Sequence, residues 1–416
     1  MVSKSKKQKQ KQIDKPEPYL ALVLFAVLVG VLALLQNKYG QWSDVRGFFG
    51  LHFRDGLHHW PYSDHIIAGT TEAMHAVEYP VITGLVMWLI TFLVPLSDQA
   101  EFHYFWVTSV FHIALLALSA YLIKIISNKK SAYYFIFAPA VLYSLYRNWD
   151  IWALVPMLGA ILLFERKRYT QSAWLLSLSI ATKFFPVVLL LPIAIILFRK
   201  KQLSIFYKYS VTVLYSWVLI NLPFALIDFK GWAYFYEFSY KRGLGSASFY
   251  EIVSILIPSI TFTSIYHYIL NVGIFSLLIL YFFRLKEIPT LPEVSFFVMF
   301  AFMLFTKQYS MQYVIWLTSL AVISMYKISE KSKVLMIYIF VLWQASEIIF
   351  QYSFFQKLLT DIYAKTETPM TIAVTNTMYA SIGAVRYTLA ILFSGLLAKY
   401  LFDAKKAEKM LKLHLQ

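Results

Sequence analysis

The sequence predicts an all-α polytopic membrane protein, and three observations support this prediction. Of the 416 residues, 59% are hydrophobic and only 14% are charged, a composition far more apolar than that of an average soluble domain. The mean hydropathy is +0.60. The apolar residues fall into runs that approach the length of a helix crossing a bilayer, and lysines and arginines gather in the short segments between the runs.

The formal net charge of +16 follows from the same pattern. Basic loops on the cytosolic side of a membrane protein explain it without nucleic acid, because no basic stripe is interleaved with a soluble fold. The chain contains no cysteine, which excludes disulfides, thiolate metal sites and a cysteine nucleophile. Membrane lipids are therefore the partners that the composition itself predicts.

The first elements follow from charge and length. Residues 1–17 contain six lysines and predict a cytosolic basic tail, followed by a first span at residues 19–36 that is retained as an anchor. Residues 37–104 then form a large first external loop. Within it, residues 81–96 are apolar but short and contain Pro95. If they crossed the bilayer, all later basic loops would point outward, so we expect an interfacial or re-entrant helix here.

The later apolar runs bring the total to about 12 spans, with both termini in the cytosol. Basic residues flank residues 174–197 on both sides, so this run predicts two short helices hinged near Lys183 and Pro186. Residues 228–264 predict a second external loop, and residues 403–416 a second cytosolic basic tail. One transmembrane domain therefore covers residues 18–402. The remaining spans are predicted at residues 104–126, 132–146, 151–164, 211–227, 265–283, 294–305, 314–325, 334–350 and 379–401.

Ionisable residues are concentrated in residues 39–80 of the first external loop. Asp44 follows the first span closely, where partial burial would raise the pKa of its carboxyl and suit it to act as a general base. Ser43-Asp44 is also good N-capping chemistry, so the residues alone leave both roles open. Glu78-Tyr79-Pro80 fits either the start of a helix or a contact with sugar hydroxyls.

Other polar residues suggest an anionic ligand rather than a metal. His58, His59 and His65 lack the spacing of a zinc motif, so we expect them to donate hydrogen bonds to phosphate or sugar. Lys183, Arg242 and Lys307 lie far apart in the chain but on the same predicted face. They could converge on one phosphate, whose oxygens gain charge when it leaves. No P-loop, G-x-G-x-x-G or G-x-S-x-G motif occurs.

The order of motifs resembles a known family. An apolar span followed by Trp42-Ser43-Asp44, Trp60-Pro61-Tyr62 and Glu78-Tyr79-Pro80 resembles the first external loop of type C glycosyltransferases. Within these it is similar to the polyprenol-phosphate-mannose-dependent mannosyltransferases, which include bacterial enzymes that elongate phosphatidylinositol mannosides and the catalytic subunit of GPI mannosyltransferase I.

Three downstream stretches extend the resemblance over most of residues 19–316. They are Asn148-Trp149-Asp150, Lys183-Phe184-Phe185-Pro186 and Gln312-Tyr313-Val314-Ile315-Trp316. The resemblance implies a type C bundle with interfacial helices in its first external loop. It also implies an inverting transfer of a hexose, expected to be mannose, from a polyprenyl-phosphate donor. The acceptor would be a glycolipid or other lipid, a wall glycan or a protein, at the outer face of the plasma membrane.

The resemblance assigns Asp44 as the catalytic base. Arg46 stands where some relatives carry the second aspartate of an Asp-x-Asp pair, so a divalent cation has no support and no cofactor is expected. The predicted substrate-binding residues are Arg54, His58, His59, Tyr62, Glu78, Tyr79, Asp150, Lys183, Arg242, Lys307, Gln312 and Tyr313.

Two alternatives share parts of this pattern. A transporter or flippase of lipid-linked sugars would show inverted repeats and broken midplane helices, whereas no repeat at fixed spacing is visible and the polar motifs gather on one face. A lipid-linked glycan polymerase or ligase would favour arginine-rich external loops. The predicted external arginines are few, chiefly Arg54, Arg147, Arg242 and Arg386.

Overall fold

The computed structural model describes residues 19–36, 43–53, 55–66, 69, 71, 73–366 and 373–414, the last of these without side-chain detail beyond residue 402. Over these residues the structure is helical apart from one antiparallel pair of two-residue strands, in which His65 faces Met74 and Ile66 faces Ala73. The predicted all-α class is confirmed.

The elements follow one another along the chain without a second sheet in the described residues. The first loop and its flanking helices are α1 (Tyr19–Gln36), α2 (Asp44–His52), β1 (His65–Ile66), β2 (Ala73–Met74), α3 (Val81–Thr91) and α4 (Ala100–Ile126). The middle of the chain contains α5 (Lys129–Ile136), α6 (Pro139–Ser144), α7 (Asp150–Glu165), α8 (Tyr169–Thr182), a 3₁₀ turn (Phe185–Leu189), α9 (Leu190–Arg199) and α10 (Leu203–Ile227). The remainder contains α11 (Phe229–Lys241), α12 (Phe249–Leu256), α13 (Ser264–Arg284), α14 (Leu291–Leu304), a 3₁₀ turn (Met311–Tyr313), α15 (Val314–Met325), α16 (Glu330–Thr366) and α17 (Asn376–His414).

The protein is a multi-pass membrane protein. Five of the described helices are long and apolar enough to cross a bilayer, namely α4, α10, α13 and the apolar parts of α16 and α17. Each other predicted span coincides with a shorter apolar helix or with a broken pair of helices. Every residue of α15 is buried, so this helix lies at the centre of the bundle.

The helix pair predicted within residues 174–197 is confirmed. Helix α8 ends at Thr182, and Lys183 adopts an extended conformation with φ −141° and ψ 130°. Pro186 then lies in the first turn of the 3₁₀ segment, where its missing N–H removes no helical hydrogen bond. The hinge turns the Lys183 side chain toward the segment before α3, where Nζ lies 4.4 Å from the ring centre of Tyr79.

The short helix α3 occupies the segment for which an interfacial or re-entrant helix was predicted. Its 11 residues correspond to about 16 Å of helix, well below the roughly 30 Å of a hydrocarbon core. The hydroxyl of Thr83 donates to the carbonyl of Thr182 at 2.5 Å, and that of Tyr104 donates to the carbonyl of Met87 at 3.0 Å. These bonds join α3 to α8 and α4.

The predicted second external loop is more ordered than the sequence suggested, because residues 228–264 contain the helices α11 and α12. Asp228 caps α11 by accepting a hydrogen bond from the Gly231 N–H at 2.9 Å, and Ser248 caps α12 by accepting one from the Glu251 N–H at 3.2 Å. Both helices are too short to cross a bilayer, so the apolar runs of spanning length did not predict them. The two capping residues were the available signal.

Candidate active site

A single large cavity, of about 1250 Å³, brings together the ends of many described elements. Its wall includes the start of α2, the strand β2, the segment before α3, the hinge after α8, much of α11 and the segment between α14 and α15. Eight of the predicted site residues line it: Asp44, Glu78, Tyr79, Lys183, Arg242, Lys307, Gln312 and Tyr313. Residues more than 250 positions apart in the sequence therefore share one site.

Asp44 is the first residue of α2, and its carboxylate is exposed to the cavity. Ser43 occupies the N-cap position, but its hydroxyl donates to the carbonyl of Tyr146 at 2.6 Å instead of capping the helix. The Asp44 N–H donates to the carbonyl of Arg147 at 2.9 Å. The Ser43 side chain therefore does not cap α2. Instead, hydrogen bonds join the start of α2 to the loop after α6.

The environment of Asp44 favours a carboxyl that holds its proton more tightly than usual. Burial raises the pKa of Asp44 above its ordinary value, and the charge of Asp150 acts in the same direction. The hydrogen bond from Asn148 and the charges of Lys183 and Arg147 lower this pKa, but the effect of burial is larger. The Asp44 side chain is exposed where it lines the cavity, while the protein atoms around it still displace enough water to raise its pKa.

Asn148 holds the Asp44 carboxylate in place. Its Nδ2 donates to Oδ2 of Asp44 at 2.8 Å and to the hydroxyl of Tyr79 at 2.7 Å. Its Oδ1 accepts from Nζ of Lys183 at 3.0 Å. Because an ammonium group only donates, the Lys183 contact fixes the amide orientation and directs Nδ2 toward Asp44. Asn148 stood in a motif noted in the sequence but was not predicted as a site residue.

Lys183 is neutralised by a buried partner. Its Nζ lies 3.2 Å from Oδ2 of Asp150, whose side chain is completely buried, and the indole N–H of Trp316 donates to the other Asp150 oxygen at 2.9 Å. Asp150, a predicted substrate-binding residue, therefore does not line the cavity, because its carboxylate is enclosed in the core behind Lys183. Lys183 itself lines the cavity, with Nζ 4.4 Å from the ring centre of Tyr79.

Arg242 and Lys307 form the second charged region of the cavity. Arg242 follows the last residue of α11, and its guanidinium lies 5.3 Å from the ring centre of Phe238. Nζ of Lys307 donates to the carbonyl of Tyr240 at 3.1 Å. Burial raises the pKa of Glu78 above its ordinary value, and the nearby positive charge of Arg242 offsets part of this increase. All three predicted cations therefore line one cavity.

His58, His59 and Tyr62 are not brought to the cavity. Nδ1 of His58 lies 2.7 Å from the hydroxyl of Thr91, and Nε2 of His59 lies 2.8 Å from Oδ2 of Asp55. Tyr62 is 1% exposed, and its hydroxyl donates to the carbonyl of Pro80 at 2.7 Å. These three predicted substrate-binding residues instead make contacts within the protein, because the loop folds closely onto α3. Arg54 lies outside the described residues, as does Trp42.

Several cavity residues were missed by the sequence analysis. His52 stacks on Phe48, with ring centres 4.7 Å apart, and burial lowers the pKa of His52 to about 4, so it is neutral near pH 7. Aromatic side chains of α11 and His267 of α13 complete much of the wall. Only the aromatic density of α11 signalled these contributions in the sequence.

The charged residues of the site form no metal-binding group within the described residues. Arg46, the position at which the chain departs from an Asp-x-Asp pair, forms an ion pair with Glu101 at 3.3 Å. The partner of Arg46 is therefore a protein carboxylate on α4.

Comparisons with known proteins give only distant likenesses. No family model and no curated protein matches the chain. Among solved structures, the chain is similar to ArnT from Cupriavidus metallidurans bound to undecaprenyl phosphate, with 11% identity and a TM-score of 0.47 over 93% of this chain and 78% of that one. It is also similar to the Archaeoglobus fulgidus oligosaccharyltransferase in its apo form, with 11% identity and a TM-score of 0.45 over 92% of this chain. The match spans only 56% of the archaeal chain. Both TM-scores are low, and neither likeness carries an argument about fold or activity.

Proposed function

We propose that the chain is an integral-membrane inverting glycosyltransferase. It moves a hexose, with mannose as the expected sugar, from a polyprenyl-phosphate donor to a lipid, wall glycan or protein acceptor. The observation that supports this most is one cavity that combines a fixed carboxylate of raised pKa, Asp44, with two cations, Arg242 and Lys307, on separate segments. A base and an anion-binding region are the two elements that displacement of a sugar from a phosphate requires.

The chemistry needs one proton transfer and one displacement. Asp44 accepts the proton of the acceptor hydroxyl while the acceptor oxygen attacks the anomeric carbon from the face opposite the phosphate. The bond between that carbon and the phosphate oxygen breaks, and its electron pair leaves with the polyprenyl phosphate. Arg242 and Lys307 offset the charge that builds on the phosphate oxygens.

Two neighbours of Asp44 act as positioning residues in this proposal. Asn148 holds Oδ2 of Asp44, which leaves the other carboxylate oxygen for the acceptor. Lys183 fixes the orientation of the Asn148 amide. A carboxylate is a more effective proton acceptor when its pKa lies nearer the pH at which the enzyme works. The raised pKa of Asp44 therefore makes it a better base near neutral pH.

The proposal includes a location. The cavity opens at the outer face of the plasma membrane, with both termini in the cytosol and residues 37–104 and 228–264 outside. Residues 18–402 form the catalytic domain between the two basic tails at residues 1–17 and 403–416.

The proposed function is tested with purified protein in lipid nanodiscs. The protein is incubated with a panel of polyprenyl-phosphate hexoses and a membrane extract, and the products are analysed by mass spectrometry. A product heavier by one hexose, formed most rapidly with the mannose donor, is expected. If no donor in the panel yields a glycosylated product while labelled donor crosses a proteoliposome membrane, the flippase alternative replaces the enzyme.

A further inference from the structure

Ala247, in the loop between α11 and α12, has an unusual backbone conformation. Its φ is +62°, in the left-handed region that a side chain with a Cβ disfavours. The residue is 1% exposed. A conformation of this kind persists only where surrounding contacts hold it in place, and those contacts identify what the loop is fixed to.

Both polar backbone groups of Ala247 are held by side chains. The N–H donates to Oε2 of Glu251 at 2.7 Å and to the hydroxyl of Tyr379 at 3.0 Å. The carbonyl accepts from the hydroxyl of Tyr387 at 3.0 Å and from Nη2 of Arg386 at 3.3 Å. Three of these four partners belong to α17, more than 130 residues further along the chain.

The three partners on α17 share one helix face. Arg386 and Tyr387 follow Tyr379 by seven and eight residues, about two helical turns. Gly383 lies between them on this face, and a Cβ there would stand 2.5 Å from Cδ1 of Ile252. The absence of a side chain at Gly383 therefore lets α12 and the loop before it approach α17.

Arg386 is fixed in a buried aromatic enclosure. Its guanidinium carbon lies 4.0 Å from the ring centre of Tyr309 and 4.1 Å from those of Phe350 and Tyr387. Nη1 lies 3.9 Å from Oε2 of Glu347. A planar guanidinium packed between rings has little freedom to move, so the hydrogen bond to Ala247 starts from a rigid donor.

The held loop is paired with the segment that carries Lys307. The Gly245 N–H donates to the carbonyl of Lys307 at 2.9 Å, and the Tyr309 N–H donates to the carbonyl of Ser246 at 3.4 Å. Arg242 lies three residues before Gly245. The backbone around Ala247 thus connects both cations of the cavity to α17.

We propose that Tyr379, Arg386 and Tyr387 form a clamp on Ala247 that positions Arg242 and Lys307 for the phosphate of the lipid donor. The three clamp residues do not line the cavity and act through the backbone of two loops. This inference rests on the proposed function in one respect, the binding of a polyprenyl phosphate in the cavity. A clamp that served only folding would leave the preference for the phosphate unchanged.

The test compares Tyr387→Phe with Tyr338→Phe, a change at a tyrosine that is 66% exposed on α16. Binding of polyprenyl phosphate and of uncharged polyprenol is measured in nanodiscs, together with the melting temperature. Tyr387→Phe should weaken binding of the phosphate about fivefold, the effect of one neutral hydrogen bond, and leave polyprenol binding unchanged, while the lost bond lowers the melting temperature only slightly. Tyr338→Phe should change none of the three.

The outcomes separate the clamp from the proposed function. If wild-type protein does not bind polyprenyl phosphate, the proposed function fails and the clamp's phosphate role fails with it. If wild-type protein binds the phosphate and Tyr387→Phe binds it equally well, or loses phosphate and polyprenol alike, the clamp alone is overturned.

A rescue experiment tests the conformational part of the inference. Glycine adopts a positive φ without the cost that alanine has, so Ala247→Gly should make the loop less dependent on the clamp. The double variant Tyr387→Phe/Ala247→Gly should bind polyprenyl phosphate within about twofold of Ala247→Gly alone. An equal loss with and without the glycine would show that the clamp does not act by holding this conformation.

Discussion

The two charged regions of the cavity are built in different ways. On the base side, Asp44, Asn148, Lys183 and Asp150 form one continuous chain of contacts that ends in the buried core. On the cation side, Arg242 and Lys307 contact aromatic rings and a backbone carbonyl, and their loops are fixed from behind at Ala247.

This difference fits the demands of the proposed reaction. Proton transfer and attack on a carbon require the base and the acceptor oxygen within hydrogen-bonding reach and in a narrow range of directions. Attraction between a cation and a phosphate falls off slowly with distance, so it tolerates side chains on longer and less constrained segments. Substitutions on the two sides should therefore fail in different ways.

The largest effect is expected at the base. Asp44→Asn removes the proton acceptor and should lower the rate of sugar transfer by about 1000-fold or more. Asp98→Asn, at an exposed aspartate before α4, is the matched control and should leave the rate unchanged. Turnover by Asp44→Asn at the wild-type rate would remove Asp44 from the mechanism.

The same variant has a predicted effect on stability. A carboxyl whose pKa is higher in the folded than in the unfolded state binds protons more tightly when folded, so stability falls as pH rises from the ordinary pKa of 3.8 through the raised value. At neutral pH, Asp44→Asn should therefore melt no lower than the wild type. A clearly lower melting temperature would contradict the raised pKa of Asp44.

Replacing one cation on each side should separate folding from binding. Lys183→Ala leaves the buried Asp150 without its partner and should cost about 3 kcal/mol of unfolding free energy, measured by thermal or denaturant unfolding in detergent. Arg242→Ala should leave stability nearly unchanged and raise the KM for the donor about tenfold, with the KM for the acceptor unaffected. Equal destabilisation by the two variants would contradict the contrast between the two sides.

Asn148 provides a test by pH. Asn148→Ala removes a donor that favours the ionised form of Asp44, so the pKa of Asp44 should rise further and the acid limb of the rate profile should move to higher pH. The rate at neutral pH should fall about tenfold to hundredfold. Asn221→Ala, at a buried asparagine bonded to Trp232, is the control and should leave the pH profile in place. An unshifted acid limb in Asn148→Ala would show that Asn148 does not tune the base.

The side of the membrane on which the cavity opens can be tested by thiol labelling, without an activity assay. His58→Cys places a thiol at an exposed position in the loop between α2 and α3, in a chain without native cysteine. It should react with a membrane-impermeant thiol reagent added to intact cells. Tyr326→Cys, at a position 39% exposed after α15, should react only after the cells are opened. The reverse pattern would place the cavity on the cytosolic face.

Several features of the site were predictable because they depend on local chemistry. Asp44 was a candidate from its position after an apolar span and was assigned as the base by the family resemblance, while the hinge at Lys183 was predicted from its proline and the basic residues on both sides. The predicted alternation of spans put Lys183, Arg242 and Lys307 on one face, and all three line the cavity. These predictions required no knowledge of how the helices pack.

Other features could not be predicted in this way. Arg386 was expected in an external loop but is 1% exposed and surrounded by aromatic rings. Asp150 was predicted to contact substrate, whereas its carboxylate faces Lys183 and Trp316 in the core. His58 and His59 belong to the same polar loop as Asp44, yet they lie against α3 and Asp55. For each of these residues the chemical group can be read from the sequence, but the direction in which the side chain points cannot.

The sequence alone determined that the chain is a helical membrane protein whose ionisable groups collect in the connections between spans. Burying a charge in lipid is costly, and this cost is visible in composition and spacing alone. The tertiary structure decided which charges are paired, since Lys183 meets Asp150 and Arg386 meets Glu347 only when consecutive helices pack against each other. It also decided that Ala247 adopts its left-handed conformation, because the contacts that hold it come from a helix more than 130 residues away.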